Sequence, residues 1–189
     1  MEVFMEKIIR YIDCDGVILD TECGLFDEYN RLKNMGVDIK RLTYLQQLNW
    51  QEWIRQAKII NNAIAIIKEH NPNDAEILTK VHSLSEGLAK IEYFRELGIQ
   101  NNIILVPNNL GKSRVVQAKG NLLVDDSIKN LDEWVVHDGI PLFFNAVGEN
   151  KSIFKEQTTI NEQYPIISTL ESIFSSETDE YCKQFLLKK

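Results

Sequence analysis

No stretch of this chain approaches the roughly twenty apolar residues of a membrane-spanning helix, so a membrane role is not expected. Cysteine is scarce: Cys14, Cys23 and Cys182 are an odd count without a CxxC pair, so neither a disulfide framework nor a structural zinc site is indicated. His70, His82 and His137 are scattered and lack metal-ligand spacing. There is no Lys/Arg-rich block, and the formal charge of -7 speaks against a nucleic-acid polymer as partner. Met1 to Lys7 carry acids where a signal peptide would carry bases, so a cytoplasmic location is expected. Asn150-Lys151-Ser152 fits a glycosylation sequon and is read as a surface loop. Repeats and low-complexity segments are also missing. What remains is a chain of 189 residues, enough for one domain with a small insertion and a real core.

The apolar pattern alternates between strand-like and helical stretches. Residues 8–12 read as a short buried strand, apolar on both faces as parallel strands are. From about Glu22 to Glu69 the period becomes helical, with Leu25, Phe26, Tyr29 and Leu32, then Ile54, Ala57, Ile60, Ile64 and Ile67. Asn71-Pro72-Asn73-Asp74 breaks that pattern. A second strand, Ala75 to Leu78, is expected to end at Thr79, with a helix following through Ser85 to Leu97 and closing at Gly98. Ile103 to Val106, Leu122 to Val124 and Pro141 to Phe144 are the remaining strands. Ile166 to Phe174 reads as a short helix, and the last dozen residues as a loosely held polar tail. Strands alternating with helices imply an α/β fold, a three-layer Rossmann-like parallel sheet with a small helical cap inserted after the first strand. The division expected is a core of residues 1–21 and 70–148, a cap of 22–69 and a C-terminal extension of 149–189.

In such sheets ligands bind at the carboxyl ends of the strands. Asp13 and Asp15, Thr79, and Asp125-Asp126 all fall there. Two carboxylates in Asp13-Cys14-Asp15-Gly16 repel unless something positive lies between them, and a hard cation such as magnesium is the natural complement. Gly16 permits a sharp exit that turns amide N–H groups toward an anion. Cys14 alternates away from the two acids and is read as packing. Thr79 suits either a phosphate oxygen or a helix N-cap. Lys112, in Gly111-Lys112-Ser113, is the candidate counter-charge, with Lys119 as rival. A P-loop is excluded because its first glycine would fall at Val106.

The four stretches in this order resemble the signatures of the haloacid dehalogenase (HAD) superfamily of aspartyl-phosphate phosphotransferases. That resemblance implies Asp13 as nucleophile and Asp15 as general acid and base, since the superfamily's dehalogenases lack an acid there. It implies Thr79, Gly16 and Lys112 on the phosphoryl group. Magnesium would be held by Asp13, the Asp15 carbonyl and one or both of Asp125 and Asp126, with Asp126 the direct ligand by the superfamily pattern. An insertion between the first and second signatures is, in that superfamily, a cap that closes over substrate. A small cap implies a small phosphorylated metabolite, with Phe26, Tyr29, Trp50 and Trp53 either lining the site or forming the cap's own core. The short cap, Lys112-Ser113 and Leu123-Val124-Asp125-Asp126 with Asn130-Leu131 are similar to the 5'(3')-deoxyribonucleotidase-like branch, which implies a nucleoside monophosphate. Asp20-Thr21-Glu22 looks more like the phosphoglycolate phosphatase and phosphomutase branches. The expectation is a magnesium-dependent phosphomonoester hydrolase; the alternatives are a phosphomutase on sugar phosphates and a non-catalytic ligand-binding module.

Overall fold

The computed structural model describes residues 7–146 and 163–187. Strand β1 (Arg10–Ile12) is followed by β2 (Leu19–Asp20), α1 (Leu25–Asn34), α2 (Arg41–Gln47), α3 (Trp50–Gln56), β3 (Lys58–Ile59) and α4 (Ala63–Glu69). Then come β4 (Glu76–Val81), α5 (Leu84–Glu96), β5 (Ile103–Pro107), a 3-10 turn at Lys112–Arg114, β6 (Leu122–Asp125), α6 (Ile128–Val136) and β7 (Ile140–Phe144). The described chain closes with β8 (Ile166–Ile167), a 3-10 turn at Leu170–Phe174 and α7 (Ser176–Leu187).

Six strands form one parallel sheet in the order β5-β4-β1-β6-β7-β8. Because successive strand residues face opposite sides, the central strands feed two cores. Ile12, Ile77, Leu122 and Val124 are buried on one face, and Tyr11, Leu78 and Leu123 on the other, where Trp134 of α6 covers them. Trp134 meets Tyr11 edge-on at 5.6 Å and gives its indole N–H to the Asn121 carbonyl at 3.0 Å. Covered on both faces, the sheet is the three-layer α/β arrangement that the alternating pattern implies.

Four expectations are corrected. The helical run through Ile54, Ala57, Ile60, Ile64 and Ile67 is broken, because α3 stops at Gln56, Lys58-Ile59 pairs with β2 and α4 begins only at Ala63. β4 runs two residues past Thr79, because Lys80 and Val81 continue the ladder opposite Val106 and Pro107. Ile166-Ile167 is an edge strand on β7 rather than the start of a helix; a run of two isoleucines carries no period that separates the two. The C-terminal residues form α7, tied down by buried Thr178 and Cys182, by Arg10 on Asp179 at 2.5 Å and by the Tyr181 hydroxyl on the Pro141 carbonyl at 3.0 Å. The Asn150 sequon lies outside the described residues.

The helices α1, α2 and α3 lie between β2 and β3, which pair antiparallel through Leu19 opposite Ile59 and Asp20 opposite Lys58. Leu25, Phe26, Tyr44, Leu45, Trp50 and Ile54 are buried among them. α3 leans on α5: Gln51 donates to Glu92 at 2.5 Å and Arg55 pairs with Glu96 at 2.5 Å. α4 instead packs on the C-terminal segment, with His70 stacked on Phe174 at 3.7 Å. Among the described residues no helix is long and apolar enough to cross a membrane.

Candidate active site

Asp13 follows the last residue of β1, and its N–H extends the ladder to the Val124 carbonyl of β6 at 2.9 Å. Its carboxylate accepts the Cys14 N–H at 2.8 Å and the Lys112 ammonium at 2.8 Å, both on Oδ1. Lys112 is fully buried and makes a second ion pair, 2.7 Å from Asp125 Oδ2 at the end of β6. The neighbouring strand ends thus bring two carboxylates together, and the 3-10 turn inserts one cation between them. Gly111 lets that turn approach α6, since a Cβ there would lie 2.4 Å from Glu133 Oε1. Glu133 also accepts the Ser113 hydroxyl, which fixes the turn. Lys119, the rival, is exposed.

Asp125 is held from outside as well: Ser127 N–H donates to Oδ1 at 2.8 Å and the Asn130 amide to Oδ2 at 3.0 Å. Asn130 in turn accepts from Lys80 at 2.9 Å. Burial and then the Lys112 charge lower the Lys80 ammonium from its ordinary value. Asp126 approaches Gly16 closely, and a Cβ on Gly16, at φ +75°, would lie 2.0 Å from Asp126 Oδ2. Gly16's own N–H is committed to the Leu19 carbonyl at 2.8 Å. The service Gly16 gives the site is therefore room for Asp126, not its amide.

Asp13, Asp125 and Asp126 each present a carboxylate oxygen within 4.8 Å of the others. An all-oxygen donor set suits a hard cation such as magnesium. The electrostatics fit too. Burial first, and then the charge of Asp125, push the Asp13 carboxyl up to about 7 despite Lys112. One lysine does not balance three acids, and a divalent cation would.

Asp15 faces a different set of groups. Its carboxylate accepts the Thr21 hydroxyl at 2.6 Å on Oδ1 and the Lys90 ammonium at 2.6 Å on Oδ2, with Thr79 Oγ1 at 3.4 Å. The two acids of the first signature therefore have separate lysines. Thr79 is fully buried and stands beside Asp15, and the helix cap is Ser83, whose hydroxyl accepts the Glu86 N–H at 3.2 Å. Cys14 is buried as packing, and burial raises its thiol well above the ordinary value.

Of the aromatic candidates, Phe26 is buried with the Arg41 guanidinium 4.1 Å from its ring. Trp50 is buried with its N–H on the Leu45 carbonyl at 2.8 Å. Tyr29 is half-buried, tilted against Tyr44 at 5.4 Å. Trp53 is half-buried and gives its N–H to the Thr21 carbonyl at 2.8 Å, the one aromatic of the four bonded to the segment that holds Asp15.

The chain matches no family profile and no curated protein. Among solved structures it is similar to a phosphonoacetaldehyde hydrolase-like protein from Oleispira antarctica, at 11% identity, TM-score 0.57, covering 96% of this chain and 95% of that one. It is similar to the HAD-hydrolase YfnB from Bacillus subtilis, solved bound to magnesium, at 14% identity and TM-score 0.56, covering 90% and 98%. A third is the D,D-heptose 1,7-bisphosphate phosphatase from Burkholderia thailandensis, at 12% identity and TM-score 0.51, covering 95% and 99%. The fold is that of the HAD-superfamily hydrolases. At these identities the likeness speaks for the fold, and the chemistry has to be argued from the site.

Proposed function

We propose that this protein is a magnesium-dependent phosphomonoester hydrolase that works through a phosphorylated Asp13. The observation that carries the reading is Lys112, fully buried and ion-paired to both Asp13 and Asp125. Such a cation lowers the repulsion between Asp13 and an incoming phosphoryl dianion and offsets charge that builds up in the transition state. Asp13, Asp125 and Asp126 would hold the metal, which when bound supplies positive charge to the phosphoryl oxygens and to the carboxylates around them.

An oxygen of Asp13 attacks phosphorus in line as the bond to the leaving oxygen breaks. Asp15, which enters this step carrying a proton taken from solvent, gives that proton to the leaving oxygen, and the alcohol departs. Asp15 then takes a proton from water, whose oxygen attacks phosphorus; the bond to Asp13 breaks and inorganic phosphate leaves. Thr79 holds a phosphoryl oxygen, and Thr21 fixes the orientation of Asp15. The helices α1 to α3 limit the space above the sheet edge and favour a small phosphorylated metabolite. Trp53, bonded to Thr21, is the aromatic best placed to stack on a nucleobase, and a nucleoside monophosphate is the substrate this suits. The heptose bisphosphate phosphatase that shares the fold makes sugar phosphates the comparison class.

Phosphate release is measured from nucleoside monophosphates, sugar phosphates and phosphoglycolate, with magnesium or chelator, for wild type and Asp13→Asn. Magnesium-dependent release that Asp13→Asn abolishes is the expected result. Isomerisation of a sugar phosphate without net release would replace the hydrolase by a phosphomutase. Magnesium binding with neither reaction would indicate a binding module.

A further inference from the structure

Lys90 belongs to none of the four signature stretches, yet it is fully buried in α5 beneath the site. Its ammonium lies 2.6 Å from Asp15 Oδ2, 2.9 Å from Glu86 Oε1, 3.0 Å from Thr79 Oγ1 and 3.1 Å from the Lys80 carbonyl. Four acceptors are one more than an ammonium has hydrogens, so all three are committed. Burial alone would lower this lysine, but the charges of Asp15 and Glu86 outweigh it and hold it above its ordinary value. Glu86 is itself anchored, accepting the His82 N–H at 2.7 Å and facing His82 Nδ1 at 3.1 Å. Burying an ion pair rarely adds stability over well-packed apolar residues, so stability alone gives little reason for a lysine here.

The geometry points to Lys90 as a positioning residue for phosphoryl transfer, acting through Asp15 and Thr79; this rests on the hydrolase reading above. With Thr21 on Oδ1 and Lys90 on Oδ2, the Asp15 carboxylate is clamped from both sides, which fixes its plane against the leaving oxygen. Lys90 donates to Thr79 and fills a lone pair of that hydroxyl, so its single hydrogen can only be given away; it is now shared between Asp15 Oδ2 at 3.4 Å and the Lys80 carbonyl at 3.3 Å, and in the complex it turns to a phosphoryl oxygen. One ammonium thus sets the orientation of the proton donor and of a phosphate ligand together. Glu86 holds the lysine in place and touches neither.

The test compares wild type, Lys90→Met and the double variant Glu86→Gln/Lys90→Met, which removes the buried acid that the single change would leave unpaired. The probes are p-nitrophenyl phosphate and phenyl phosphate, similar in size but with a more basic leaving oxygen in the second. A misplaced proton donor harms the second more, so kcat/KM for phenyl phosphate should fall about tenfold further than for p-nitrophenyl phosphate. Magnesium affinity, measured by calorimetry, should stay within about twofold, because Lys90 bonds the Asp15 side chain, Glu86, Thr79 and the Lys80 carbonyl rather than the Asp15 carbonyl or the carboxylates that would hold the metal. Equal losses on the two probes in a folded variant would overturn the positioning role. A crystal structure of the double variant decides the matter independently of turnover. Asp15 turned away from Thr79 supports the role, and Asp15 unmoved overturns it. A wild type inactive on both probes would defeat the hydrolase reading, with the crystallographic result still deciding this one.

Discussion

Replacing Gly16 by alanine perturbs the site through a single methyl group. Two costs are separable. At φ +75° an L-residue bears a left-handed strain of roughly 1–2 kcal/mol. The new Cβ would also lie 2.0 Å from Asp126 Oδ2 and 2.6 Å from its Cγ, so the carboxylate must retreat. That retreat is on the order of 1 Å, enough to cost up to about 100-fold where a reacting group is misplaced. If Asp126 holds magnesium, affinity measured by calorimetry should drop about tenfold or more, or about 1.4 kcal/mol. The controls are Asp126→Ala alone and together with Gly16→Ala. Once the carboxylate is gone, the added methyl should cost only the backbone strain, read as a fall in Tm with no further loss of metal affinity. Unchanged magnesium binding in Gly16→Ala would show that Asp126 does not need the space at Gly16, as would an equal loss of affinity in both backgrounds.

Lys112→Met leaves the buried carboxylates of Asp13 and Asp125 without their shared cation. It should lower stability in chelator by about 3–5 kcal/mol, recover part of that with magnesium and abolish phosphate release. An unchanged denaturation midpoint would contradict the burial argument. Since the Asp13 carboxyl is raised from 3.8 to about 7, the folded metal-free protein holds a proton across that window that the unfolded chain does not. On this group's account, stability in chelator is highest at the acid end and is lost as pH rises through about 7. Magnesium must displace the proton, so affinity should weaken by up to about tenfold per pH unit below 7 and level off above it. Calorimetric titrations between about pH 5.5 and pH 8 check the sign, and a flat profile would oppose it. Trp134→Ala, remote from the acids, should cost about 3–5 kcal/mol in denaturant melts while kcat of the folded enzyme is retained.

The readability of the chain followed burial and charge in opposite ways. Ile12, Ile77, Leu122 and Val124 fill one face of the sheet and Tyr11, Leu78 and Leu123 the other, so the central strands stand out as short apolar runs. The acids and Thr79 stand out because polar residues next to such runs have few structural reasons to be there. Lys112 was legible through its place between the third and fourth strands. Lys90 was not, because Glu86 and Lys90 at i,i+4 read like any solvent-facing helix pair, and sequence does not tell a buried ion pair from an exposed one. α7 was missed for a related reason. Its sequence is polar, and it is held by Thr178, Cys182 and specific bonds from Arg10 and Tyr181 rather than by an apolar stripe. Strand β4 overran Thr79 because its neighbour β5 offers a ladder that far, a fact about the partner strand.

The hydrolase reading stands or falls with the covalent step on Asp13. The most direct measurement is acid quenching during turnover of the best substrate with magnesium, followed by mass spectrometry of the peptide that spans Asp13 to Asp20. Phosphate on Asp13 in wild type, absent from Asp13→Asn, is the predicted result. Turnover with no modified peptide at any quench time in the wild type, or undiminished turnover by Asp13→Asn, would contradict it.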